Sequence, residues 1–364
     1  MSNLDSKKSS VAAEVKGYLI IGVTAAALVA GFLYTAGFFG SKGVTAQKFV
    51  DLQQGGKSHY GFRRAHAKGV CLQGEFVANG SLAAYTDAEL FKVGSNSFNG
   101  RFSIAGNNPL APDLAAPVRS FALSFSMADG ERWRTAMNTP PVMAVRTPED
   151  FYQQLTVLTP DAKTGKRDVE KINAFFQAHP ETAAFNQWKD QYQATTSFAT
   201  EQYHSINAFY LVNAQGQRQA VRWAAVPQAT EIQLASTLSS ASQTDPSPDA
   251  LQIELDGRLQ QQPVKFDLVF TLASVTDDEN DPTIPWPDSR EQINAGTLVV
   301  KQWKPQQDGA CNGINFDPLV LPTGIEPSKD PILNARGAAY AESYRRRANE
   351  TLLHQQTQSK QGVY

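Results

Sequence analysis

Arg336 and Tyr340 stand four residues apart in a stretch that opens with Asp330-Pro331, a capping residue followed by a proline suited to the first helical position. Four residues is about one helical turn, so the two side chains share a face. A tyrosine hydroxyl ionises at pKa ~10 and is normally neutral. A guanidinium one turn away favours the phenolate, the form in which tyrosine binds a ferric ion. On spacing alone the simpler reading is a helical tyrosine at a core edge beside a surface arginine. The second candidate is His66, one of five histidines. An imidazole of pKa ~6.5 both takes and returns a proton near neutral pH, although a lone histidine is more often structural. Cys71 and Cys311 are too far apart in sequence for a Cys-x-x-Cys metal motif. One disulfide and two buried free thiols remain equally open for them. Arg345-Arg346-Arg347 reads as a solvated helix face.

The elements that must position these groups are mostly strands. Segments 69–80 and 98–106 alternate apolar and polar residues, the first ending at Asn79-Gly80. Segments 118–138 and 206–226 read as hairpins, turning at Asp129-Gly130 and near Gln215-Gly216. Segments 251–259 and 264–274 are expected to form a third strand pair, and 297–303 a late strand. So many strands joined by short turns predict an antiparallel sheet closed into a barrel. Helices are expected after Lys42, from Pro148, over 168–180 and from Asp330 through Arg347. The class is therefore α+β, a barrel with surrounding helices. The tail, 351–364, lacks an apolar period and is expected to be mobile.

The chain has 364 residues, 41% of them apolar and 19% charged, which is the composition of a folded globular protein. A formal net charge of −2 and the lack of a broad basic face argue against nucleic acid as a partner. Residues 17–40 carry no charge and are mostly apolar, and a membrane-spanning helix needs ~20 such residues. The expectation is a transmembrane signal anchor over 17–40, with a cleaved signal peptide as the alternative and a core helix as a third reading. Lys7, Lys8 and Lys16 precede the run and favour a cytoplasmic segment 1–16. The remaining domain, 41–350, would then lie on the extracytoplasmic, periplasmic side, or be soluble there after cleavage.

Four segments in order carry a resemblance to a known family. They are RRAHAKGVCLQGEF (63–76), GRFSIAG (100–106), DGERWRTAMNTPP (129–141) and NFDPLVLPTGIEPSKDPILNARGAAYAESYRRR (315–347). Together they resemble the catalase superfamily, and the last follows that family's stretch leading to its haem-ligating tyrosine. The resemblance covers residues from about 45 to 347. It implies a catalase-like core with haem b, Tyr340 as the axial ligand of the iron and Arg336 supporting the phenolate. It implies His66 as distal acid–base, Ser103 as the serine that bonds and fixes that histidine, and Asn138 as a donor to bound peroxide. It implies that Arg63, Arg101 and Arg347 hold the haem propionates, which would single out one member of the arginine run. Phe102 and Phe151 are expected to wall the haem.

The departures from the family shape the functional expectation. This chain is shorter than typical catalases, has Asn207 where the family often has a histidine, and has Pro141-Val142-Met143 after the distal asparagine segment. These features resemble the small catalase-related peroxidases. The expected activity is reduction of organic hydroperoxides, and weakly of hydrogen peroxide, by an external small-molecule electron donor. True catalase activity and a haem-binding or carrier module at a membrane are the alternatives, and a non-haem barrel is a further one. A monomer or small homo-oligomer is expected.

Overall fold

The computed structural model describes residues 22–30, 43–116, 118–230 and 247–361. The chain divides into two compact units, Met1–Val44 and Thr45–Tyr364. In the first, residues 22–30 form an exposed helix, α1. Among the described residues no helix is long and apolar enough to cross a membrane. The other residues of the 17–40 run lie outside the described residues.

Among its described residues the second unit has ten strands: β1 (Gly69–Ala78), β2 (Gly94–Ile104), β3 (Arg119–Ser126), β4 (Arg132–Asn138), β5 (Tyr203–His204), β6 (Phe209–Val212), β7 (Arg218–Pro227), β8 (Val264–Leu272), β9 (Gln292–Pro305) and β10 (Ile325–Pro327). All pairings are antiparallel. The circuit β1-β2-β3-β4-β5-β7-β8-β9 returns to β1, so eight strands close a barrel, with β6 and β10 extending it from β7. Closure pairs the backbone groups that an open edge would leave bare. Both expected hairpins are present, with Gly130 and Gly216 at positive φ in their turns.

Period-two alternation assigns the two barrel faces. Inward go Phe76, Phe98, Phe102, Phe121, Phe125, Trp133, Trp223, Phe266 and Phe270, all within one buried apolar cluster. Each such aromatic contributes ~1.5–3 kcal/mol through burial. Outward on neighbouring strands go small or polar residues: Cys71 on β1, Arg101 and Ser103 on β2, Ser120 and Ala122 on β3, and Ala136 and Asn138 on β4. This outer face is where the chemistry collects.

Among the described residues six helices flank the barrel: α2 (Ala46–Gln54), α3 (Pro148–Leu158), α4 (Val169–Ala178), α5 (Ala183–Gln191), α6 (Ala250–Gln261) and α7 (Pro331–Gln361). The caps follow the sequence. Thr45, Thr147 and Asp168 accept from the first-turn amides of α2, α3 and α4, and Asp330 Oδ1 accepts from Ile332 N–H at 2.8 Å at the start of α7. Two expectations are corrected. Segment 251–259 is not a strand but part of α6. Leu251 and Leu255 are buried, Leu259 packs against the same core and Ile253 is exposed, so the i, i+4 spacing outweighs the local alternation. And α7 does not stop at Arg347: the tail remains helical to Gln361, in keeping with its good helix formers and the absence of glycine or proline before Gly362.

Candidate functional site: an arginine triad beside a neutral histidine

His66 lies in the connection between α2 and β1 with φ of 52°, a left-handed conformation that costs a non-glycine residue roughly 1–2 kcal/mol. The strain is held from both sides. Arg101 Nη2 donates to the His66 carbonyl at 2.7 Å, and Ala67 N–H donates to Gly106 O at 2.9 Å. Gly69 makes this crossing possible. A Cβ there would stand 2.3 Å from Phe102 O and 2.7 Å from the Arg101 guanidinium.

The serine that meets His66 is Ser120. Its Oγ is 3.1 Å from His66 Nδ1 and also donates to Asn138 Oδ1. Ser103, the sequence-based expectation, is buried on β2 directly across from Ser120, and it does not bond the ring. The correction has a physical content. A hydroxyl has one proton. Ser120 spends it on Asn138, so it must accept from His66 Nδ1–H. That fixes the neutral ring with Nε2 as the free basic nitrogen. It also fixes the amide of Asn138, whose oxygen is occupied and whose NH2 is left to donate. Burial, then the charges of Arg101, Arg336 and Arg63, lower the His66 pKa to about 4. The imidazole is therefore unprotonated at neutral pH, with Nε2 open to a proton.

Arg63, Arg101 and Arg347 lie close enough to act on one another electrostatically. Arg63 Nη2 donates to the carbonyls of Cys311 and Ile314, both at 2.9 Å. Arg101 bonds Gln306 Oε1 and the carbonyls of His66 and Ala67. Arg347 Nη1 bonds Asn312 O and Oδ1. Among the described residues none of the three pairs with a carboxylate, and Glu350, which acts on Arg347, is committed to Arg64 and Gly61 N–H. Arg63 Nη1 and Arg347 Nε are buried without any hydrogen-bond partner. Desolvation, then mutual repulsion, lowers the pKa of Arg63, and that of Arg101 to about 9. Buried cations without counter-charge are costly, and this arrangement is suited to a ligand that brings its own carboxylates.

On α7, Arg336 and Tyr340 share a face. Arg336 Nη2 lies 3.4 Å from Tyr340 Oη and 3.0 Å from Ala136 O, and Nη1 donates to Asn207 Oδ1 at 2.6 Å. Asn207 in turn donates to Asp330 Oδ2 at 2.6 Å, so the buried cap of α7 also anchors the arginine. Tyr340 and Ile314 pack against the cluster of Cys71, Ala122, Ala136, Cys311 and Phe316, an apolar floor of mostly small residues on the barrel's outer face.

Of the two expected aromatic walls, Phe102 does not join this group. Phe102 points into the barrel, stacked 4.9 Å from Phe198 and beside Phe121 and Tyr203, because alternation sends it opposite to Arg101 and Ser103. Phe151 sits on α3 with its ring 5.4 Å from Phe49 of α2. Arg345 is exposed on Glu342, whereas Arg346 is not solvated as expected but bridges Glu342 and Asp51 of α2. Sequence reading missed Ser120 and Gln306. Ser120 was within reach, since it alternates with Phe121 and Leu123 and so shares its face with Ala122. Gln306 carries no such signal.

The arginines, the Arg336–Tyr340 pair and the strained His66 thus stand together on the outer face of an eight-stranded antiparallel barrel. The sequence model of the family described as Catalase matches residues 52–357, and the chain belongs to the catalase family. It is 38% identical over 328 residues to a catalase-related peroxidase of Synechococcus elongatus, covering 90% of this chain and 96% of that protein. It is 30% identical to a catalase-related peroxidase of Mycolicibacterium paratuberculosis, covering 84% and 96%. With the catalase of Listeria seeligeri it shares 24% identity and spans 62% of that protein's length. In structure it resembles catalase A from Saccharomyces cerevisiae, with a TM-score of 0.66 at 18% identity over 79% of this chain and 61% of that one. Catalases carry haem, and the unpaired buried guanidiniums fit its propionates.

Proposed function

We propose that this protein is a haem peroxidase that reduces organic hydroperoxides, and hydrogen peroxide weakly, with two electrons from a small-molecule donor: ROOH plus two electrons and two protons gives ROH and water. The observation that carries the reading is the arginine triad, Arg101 and Arg347 buried and Arg63 half-buried, without carboxylate partners among the described residues and beside a histidine held neutral. The two relatives named catalase-related peroxidase, each covered over 96% of its length, support the peroxidase reading.

Haem b bound through Tyr340, when present, supplies the iron centre at which the O–O bond is cleaved and donor electrons are received. The protein's part is positional and protonic. Arg63, Arg101 and Arg347 hold the propionates, and Arg336 Nη2 stands 3.4 Å from the Tyr340 hydroxyl and orients it. His66 Nε2 takes the hydroperoxide proton and returns it to the departing oxygen. The Asn138 NH2 donates to the bound peroxide, oriented by Ser120. The disulfide between Cys71 and Cys311 favours an oxidising compartment outside the cytoplasm. The apolar 17–40 run is in keeping with export or anchoring there.

The test is a visible spectrum and turnover assay of the haem-loaded protein. Expected are a Soret band, high-spin tyrosinate features and donor oxidation driven by an alkyl hydroperoxide. Fast decomposition of hydrogen peroxide without donor oxidation would favour true catalase activity instead, and loss of the Soret band would exclude any haem reading.

A further inference from the structure

Among the described residues, the hydrogen bonds made by the guanidiniums of Arg63 and Arg347 end on one short turn and on the residue that follows it. Arg63 bonds the carbonyls of Cys311 and Ile314, and Arg347 bonds Asn312 through both its carbonyl and its side chain. That turn, Ala310–Gly313, follows β9 and belongs to no strand. Cys311 within it is disulfide-bonded to Cys71, 240 residues away in sequence. Cys71 lies inside β1, paired on one side with Arg101 and on the other with Lys304. The bridge thus ties a short irregular turn to a rigid, doubly paired strand. Gly309 marks how closely the turn is drawn in, since a Cβ there would stand 2.3 Å from Cys71 Cβ. Both cysteines also belong to the apolar floor under Tyr340. Arg101, the third cation, is held by Gln306 and the carbonyls at 66 and 67, not by the turn.

We infer that Cys71 and Cys311 are positioning residues of the haem site: their disulfide sets the turn that aims Arg63 and Arg347 at the propionates, so that haem retention depends on thiol redox state. The inference rests on the haem reading above. A dithiol reductant supplies the two electrons and two protons that convert the bridge into two thiols, and is itself closed to a cyclic disulfide. The turn then keeps its internal bonds, and the segment after it keeps the contact of Arg134 Nη1 with Asn315 O, but the covalent tie to β1 is lost. Carbonyls free to drift no longer hold two guanidiniums at fixed positions, while Arg101 stays in place.

The experiment measures haem transfer from the full-length haem-loaded protein to excess apomyoglobin, before and after dithiol reduction and after reoxidation. Far-UV circular dichroism is recorded on each sample. Expected is transfer about tenfold faster on reduction, the loss of one charge-assisted hydrogen bond, with the strand signal intact and the slow rate restored by reoxidation. The Cys71→Ser/Cys311→Ser double variant should show the fast rate with or without reductant. In an Arg63→Ala/Arg347→Ala background reduction should change the rate by less than about twofold, because the groups through which the bridge acts are gone. Equal rates in both redox states overturn the inference and leave the haem reading standing. The same holds if reduction acts by the same factor in the arginine-free background, or if it melts the barrel. If the oxidised protein takes up no haem, both fall.

Discussion

Ser120 Oγ stands 3.1 Å from Nδ1 of His66, and through its single proton it also fixes Asn138. One hydroxyl therefore sets the tautomer of the base and the orientation of the amide. Ser120→Ala removes both settings without removing either catalytic group. Peroxidase kcat/KM should fall about 10- to 100-fold, part of what positioned acid–base catalysis contributes. Ser103→Ala, across the strand pair, should stay within about threefold, since its hydroxyl does not reach the ring. Steady-state kinetics with one alkyl hydroperoxide decides between them, and the opposite ranking would restore Ser103 to the role its motif suggested.

That contrast also marks what the sequence made legible. Tyr340, Arg336, His66, Asn138 and three of the arginines lie in stretches whose local order places them, and the structure brings them together. Asp330 was readable as a cap because capping is local, and its second oxygen, bound to Asn207, was not, because that contact joins positions far apart in the chain. Ser103 and Ser120 differ only in which of two paired strands carries the serine that reaches the loop bearing His66. No motif on a single strand contains that information. Segment 251–259 failed for another reason: Leu251, Ile253 and Leu255 satisfy a strand's alternation, while Leu251, Leu255 and Leu259 satisfy a helix, and burial against the barrel chose the latter.

The haem-free domain should be acid-sensitive in a definite window. His66 and His204 are both lowered to about 4, His204 by desolvation alone and His66 by desolvation and then three arginines. A histidine in the unfolded chain titrates near ~6.5. Between these values the unfolded state binds protons that the folded state refuses, so stability falls as pH falls from about 6.5 towards 4. Above that window neither histidine contributes a pH dependence. Each accounts for up to ~3 kcal/mol of the loss. Denaturant midpoints at pH 7, 5.5 and 4.5 should show it, and His204→Asn should flatten the slope. A slope unchanged in both His66→Asn and His204→Asn would refute the assignment.

The run Arg345-Arg346-Arg347 contains three chemically identical residues with three different surroundings. Arg347 is buried with an unpaired Nε, whereas Arg345 is exposed on Glu342. Arg347→Met should therefore lower haem affinity about 10- to 100-fold, the effect of one charge-assisted contact to a carboxylate. Arg345→Met should leave affinity within about twofold, because an exposed ion pair contributes little. Competition for haem with apomyoglobin gives both numbers in one assay. Equal losses would mean that general positive charge, not the buried guanidinium, retains the cofactor.

Phe102 separates stability from function most cleanly, because its neighbours Arg101 and Ser103 face the outer side of the barrel while its own ring faces the inner. It is fully buried against Phe121, Phe198, Tyr203 and Phe266. Phe102→Ala leaves a cavity among rings that cannot collapse to fill it, and should cost about 3–5 kcal/mol of unfolding free energy. The haem spectrum and the peroxidase KM of the molecules that remain folded should not change, since nothing on the outer face is removed. Phe102→Leu, which fills most of the volume, should recover more than half of the loss. Chemical denaturation paired with a Soret spectrum of the same sample checks both halves, and a shifted Soret band in a stably folded Phe102→Leu protein would return this residue to the haem wall.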